Sequence, residues 1–188
     1  GPAAIAVGVW CFAISSFHLY NAIFPFLSDF DRNVRHFSGF AVLAGALDPM
    51  ASGQGARSRT MVIIDGGLGV LALLASSGFV INQDRLFGQT QPFGTIDWAA
   101  AICVVVLAAE FTRRVSGWVV PILILIALTY IAVWGPWITG VFSFRGFKWE
   151  TVLWRSIYND EGIFGNIARI SSTTVFLFII FVAFLVRS

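Results

Sequence analysis

Long apolar runs alternate with short polar stretches along the whole chain. Runs at 2–27, 61–81, 96–111, 115–138 and 167–186 approach or exceed the roughly 20 apolar residues that a membrane-spanning helix requires. The first is interrupted only by polar residues such as Ser15, Ser16, His18 and Asn21, and it gives way after Pro25 to SDFDRNVR (28–35), which reads as a charged loop. A shorter run at 34–47 reads as a tilted or thinned span with Arg35 and His36 snorkelling at its edge, and the alternative is an interfacial helix. The small residues of GFAVLAGAL (39–47) favour the span, because they let helices approach closely. Residues 48–60 (DPMASGQGARSRT) and 82–95 (NQDRLFGQTQPFGT) read as loops. Pro121 costs little in the first turn of its helix and kinks the helix anywhere else.

Beyond Trp134 the pattern changes to aromatics, glycines and charges at short intervals. Within this region 149–158 has helical spacing, with Val152, Leu153, Ile157 and Trp149 near one face and Glu150 and Arg155 away from it. The expectation is an amphipathic helix at the membrane surface, with Trp134, Trp137, Trp149 and Trp154 forming an interface belt. The predicted fold is an all-α integral membrane protein with five to six transmembrane helices and one amphipathic interfacial helix. Residues 1–114 form a four-helix membrane unit, 115–138 a connector helix, 139–166 the interfacial segment and 167–188 the last transmembrane helix.

Composition agrees with lipid as the solvent. Of 188 residues 57% are hydrophobic and 12% charged, about half the charge of a typical soluble domain. The net charge of +2 gives no reason to expect a nucleic-acid partner. Arg57, Arg59, Arg113 and Arg114 follow the second and fourth runs, whereas Arg32, Arg35 and Arg85 follow the first and third. That small excess favours cytoplasmic ends for the four-helix unit. The chain opens on an apolar run, without a start methionine or basic leader, so sequence upstream of it is expected.

Candidate chemistry is sparse. Asp65 and Glu110 are the acidic residues inside apolar runs, where a proton relay competes with interfacial anchoring. Anchoring is the reading adopted, with Asp65 and Asp97 favoured by helix N-termini and Glu110 paired to Arg113 or Arg114. Ser171, Ser172, Thr173 and Thr174 could line a path, but their hydroxyls are expected to bond the preceding backbone turn. Arg169 reads as a headgroup anchor. His18 and His36 could be axial ligands of a haem or chlorophyll, but packed or hydrogen-bonded roles are expected. Cys11 and Cys103 lie in apolar runs and suggest neither a disulfide nor a metal site. No phosphate loop, zinc spacing or nucleophile–base pairing is visible, so no enzyme activity, catalytic residue or metal ligand is expected.

Three motifs stand out in the second half: E-x-x-RR-x-x-G-W-x-x-P at 110–121, FRG at 144–146 and EGIFG at 161–165. With NVRHFSGFAVLAGAL before them and SSTTVFLFIIFVAFL after, the chain resembles the N-terminal part of fused permeases of tripartite ATP-independent periplasmic (TRAP) transporters, the type associated with TAXI-class binding proteins. The resemblance implies a small Q-type unit, a connector and the start of a large M-type unit in a multi-pass protein of the bacterial inner membrane. It implies sodium-coupled uptake of a small organic solute delivered by a periplasmic binding protein. In that family the sodium and substrate sites lie in the large unit beyond this stretch, so no site residue transfers and the chain alone would not transport. The alternative is a truncated relative serving as a structural subunit of another membrane assembly, such as a photosynthetic or respiratory complex, with bound lipid or pigment.

Overall fold

The computed structural model describes residues 2–47, 59–87 and 92–187. The predicted loop at 48–60 falls almost wholly outside these residues, as does the middle of the one at 82–95. The described residues contain helices and no strand. Helices α1 (Pro2–Ile23), α2 (Asp29–Leu47) and α3 (Arg59–Ile81) are followed by a short α4 (Gln83–Leu86) and by α5 (Thr95–Ser116). Then come α6 (Val119–Thr129), α7 (Trp149–Tyr158), α8 (Asn166–Ile170) and α9 (Phe176–Arg187). Stretches Ala4–Ile23, Val62–Ile81, Thr95–Ser116, Val119–Trp137 and Asn166–Arg187 are long and apolar enough to cross a membrane. The protein is an all-α, multi-pass membrane protein.

The short predicted span at 34–47 is the larger part of a longer helix. The charged stretch 28–35 is not a loop, because α2 begins at Asp29 and carries those charges in its first two turns. Ser28 Oγ caps it by accepting the Asp31 N–H at 3.1 Å, and Asp29 and Asp31 sit at its positive end. So extended, α2 is more polar than the five apolar spans. It lies along α3, where Gly45 and Gly69 let the backbones meet. A Cβ on Gly45 would overlap the Asp65 carbonyl oxygen, and one on Gly69 would lie 2.9 Å from Val42 Cα.

Gly117, at φ +74°, ends α5 and turns the chain into α6. Pro121 then falls in the first turn of α6, where its missing N–H costs nothing. The helix continues through a π turn (Tyr130–Trp134) and a 3-10 turn (Gly135–Trp137). Gly146, at φ +77°, folds the following strap back, so that Phe147 N–H donates to Ile131 O at 3.0 Å. A second π turn, Ser171–Val175, joins α8 and α9 into one continuous span.

Helix α7 has the bounds its spacing predicts, and Val152, Leu153, Ile157 and Tyr158 are buried. Trp149, at the start of the helix, stays exposed. The apolar face closes the end of the bundle where α2 and α5 begin. Tyr158 stacks on Phe30 with ring centroids 5.0 Å apart, and Phe164 meets Phe30 edge-on. Leu86, Phe79, Ala101 and Val104 complete this core. Trp154 also turns inward and donates to Leu86 O at 2.6 Å, while Glu150 accepts the Phe93 N–H at 2.6 Å. Of the four predicted belt tryptophans, Trp137 and Trp149 remain exposed.

Candidate functional site

Three polar clusters are built into the bundle. The largest joins α1, α2 and the π turn of the last span. Its residues share faces because helical spacing places Arg32, Asn33 and His36 within about one turn of α2. Asn33 is buried and donates through Nδ2 to Phe164 O at 2.8 Å and Gly165 O at 3.2 Å. Ser172, also buried, shares its hydroxyl between Asn33 Oδ1 at 2.8 Å and Arg169 O at 3.1 Å. Arg32 Nε donates to Ser172 Oγ at 3.4 Å, and its other end pairs with Asp29 at 2.7 Å.

Beside this clamp, His36 Nδ1 lies 3.1 Å from His18 Nε2, and His36 Nε2 lies 3.2 Å from Ser171 Oγ. Phe176 packs on His18 at 4.6 Å, Phe40 on His36 at 4.7 Å and Phe17 on His18 at 5.1 Å. The expected packed and hydrogen-bonded role therefore fits both histidines, but their meeting across 18 residues has no trace in the sequence. Both ring nitrogens of His36 are engaged in these contacts. The predicted back-bonding also occurs, with Thr173 donating to Arg169 O at 2.7 Å. Ser171 and Ser172 reach beyond it to the neighbouring helices.

The second cluster links α3 and α5. Arg114 pairs with Asp65 at 3.1 Å and with Glu110 at 3.0 Å, and Arg113 grips Glu110 at 2.7 Å. Glu110 behaves as its spacing predicts. Asp65 does not: it is the seventh residue of α3, fully buried, and it faces a guanidinium from another helix. It is a buried ion-pair partner rather than an interfacial anchor.

The third cluster caps α5. Asp97 accepts the Gly94 N–H at 2.7 Å and pairs with Arg85 at 2.6 Å, as the helix-start reading anticipates. Nearby, burial pushes the Tyr158 hydroxyl above its ordinary range, with the Asp97 charge adding to the effect. That hydroxyl stays protonated and donates to Phe79 O at 3.3 Å.

Two hollows adjoin the first cluster. One, of about 250 Å³, is lined by Asp29, Asn33, Tyr158, Asp160 and Arg169. Arg169 is about half exposed there and lies 3.9 Å from Asp29. The other, an apolar groove of about 320 Å³, runs between Phe40, Ala44, Phe111 and Ile167 with His36 and Ser171 in its wall. Among the described residues no three His, Cys, Asp or Glu side chains group as metal ligands. The arrangement holds helices together through charge and hydrogen bonds. No family model, curated protein or solved structure matches the chain.

Proposed function

We propose that the chain is the membrane scaffold of a TRAP-type secondary transporter permease, bracing a larger transport unit that carries sodium and solute. The observation that carries the scaffold reading is the contrast in how the spans are covered. Only 6% of the residues of Val119–Trp137 and of Asn166–Arg187 are buried, whereas the polar side chains of α2, α3 and α5 are paired inside the bundle. A bundle with the Asp65–Arg114 pair inside it and two largely oily spans turned outward suits a part that packs against lipid and other helices.

The TRAP assignment rests on the three motifs, whose glycines have local structural reasons. Gly117 and Gly146 take positive φ, and a Cβ on Gly165 would overlap the Asp160 carbonyl oxygen. The motif glycines thus stand at corners of this fold, a structural role that assigns no chemistry.

The test is purification of the gene product from its native membrane in mild detergent, with mass spectrometry of what accompanies it. A large permease unit and a periplasmic solute-binding protein are expected. Redox or pigment-binding subunits in their place would move the chain to the structural-subunit reading. A chain that purifies alone and monodisperse would overturn the scaffold role.

A further inference from the structure

The scaffold role makes no use of the His18–His36 contact. Among the described residues two side-chain hydrogen bonds tie α1 to α2: Trp10 Nε1–H to Gly39 O at 3.1 Å, and the histidine pair at 3.1 Å. Much of the rest of α1 is an oily exterior that includes Ile5, Val9 and Phe12.

A hydrogen bond between two imidazoles needs one N–H and one lone pair. Two neutral rings supply both, and so does one imidazolium facing one neutral ring. Two imidazolium rings cannot, because every ring nitrogen then carries a proton. The contact would become a repulsion between cations 3.1 Å apart, in surroundings that screen it poorly. His18 is 3% exposed and phenyl rings flank both imidazoles.

The neighbouring charges make matters worse for a second proton. From α2 come Arg32, beside Ser172, and Arg35, which shares a cleft with Trp10 and Phe17 of α1. From the last span comes Arg169, at the mouth. Of the two acids in the first turn of α2, Asp29 is spent on Arg32 and lies 3.9 Å from Arg169, and Asp31 carries the second negative charge. The last span otherwise offers the neutral Ser171 and Ser172, and α3 offers Leu73 to the cleft. Among the described residues no carboxylate forms an ion pair with either ring.

We propose that His18 and His36 form a protonation latch, which holds α1 on the bundle while at most one imidazole is charged and releases it when acid charges both. The short link at 24–28 keeps a released α1 attached to α2. The latched form is therefore the neutral-pH form and is lost as the pH falls. The proposal does not depend on the transport reading.

The test uses the whole chain in lipid nanodiscs, with Cys11 and Cys103 replaced by Ser and spin labels at Ile5→Cys and Leu47→Cys. Between about pH 8 and about pH 3, an acid end set low because the neighbouring cations oppose the second proton, the short-distance population is expected to fall severalfold and reversibly. His18→Gln keeps a hydrogen-bonding partner for His36 but cannot be charged, and its distance should hold at both pH values. An unchanged wild-type distance, or a His18→Gln chain that opens like the wild type, overturns the latch. If that variant fails to fold, nitrogen NMR of the wild-type imidazoles decides. Uptake of the second proton should coincide with movement of the Trp10 indole N–H resonance, and two charged rings with that resonance unmoved overturn the proposal.

Discussion

The spans Val119–Trp137 and Asn166–Arg187 are the most apolar in the molecule and the least covered by it, with 6% of their residues buried. Val62–Ile81 is less apolar, yet 28% of it is buried. In a protein folded in water the ranking runs the other way, because apolar surface must leave the solvent. Here lipid is as good a home for leucine as protein is, so burial inside the bundle is reserved for helices with something to hide. Helix α3 hides Asp65 and Ser76, α5 hides Asp97, and α2 hides Arg32, Asn33 and Ser38. The interior of this protein is where polar groups find partners, and its outside is where apolar side chains are free to remain.

That contrast can be broken from either side. The largest effect should come from the buried Asp65–Arg114 pair. Arg114→Met takes the guanidinium away from the fully buried Asp65 carboxylate and should lower unfolding stability in detergent by about 3–5 kcal/mol. Asp65→Leu should cost less, because Arg114 keeps Glu110 at 3.0 Å, and the double variant should recover most of the Arg114→Met loss. An Arg114→Met chain as stable as its parent would end the claim. Next is Leu125→Asp on the outward span, where a carboxylate at the centre of a lipid-facing helix should cost insertion about 2.5–3.5 kcal/mol. Unimpaired insertion in a glycosylation-mapping assay would mean that α6 does not face lipid.

Gly45→Val, which forces side-chain atoms against the Asp65 carbonyl, should cost about 1–3 kcal/mol in thermal unfolding. Gly8→Val on the open face of α1, where nothing lies within 4 Å, should stay near the parent. The smallest measurable loss is expected for Tyr158→Phe, which keeps the stack on Phe30 but drops the hydroxyl bond to Phe79 O, at about 0.5–1.5 kcal/mol. A larger loss than that of Gly45→Val would show that the Tyr158 hydroxyl holds more than one strand of the end core together.

Much of this architecture could be read from spacing. Five spans fall where the apolar runs lie, α7 has its predicted bounds, and Asp97 and Glu110 find the partners that local separation suggests. What escaped are the meetings between helices. Helical periodicity reports which face of a segment is apolar, and in α1, α3 and α6 nearly every face is. Nothing in such a run says which neighbour will stand opposite. His18 facing His36 and Asp65 facing Arg114 are therefore invisible until the helices are packed. The start of α2 was missed for another reason: a capped first turn rich in charge has the same composition as a polar loop. Residue type suggests an interfacial position for Trp154 but not its partner, a carbonyl at the end of α4.

The wide turn at Ser171–Val175 has a consequence for how this gene can change. Such a turn holds one residue more than an ordinary helical turn, and each residue swings the chain about 100° around the axis. Loss of a single codon there is absorbed by return to an ordinary turn, which leaves Phe176 and all that follows close to their present faces. The same loss within α9 would swing everything after it by about 100°. The segment is slack in the last span: one residue can go without re-aiming the helix beyond it.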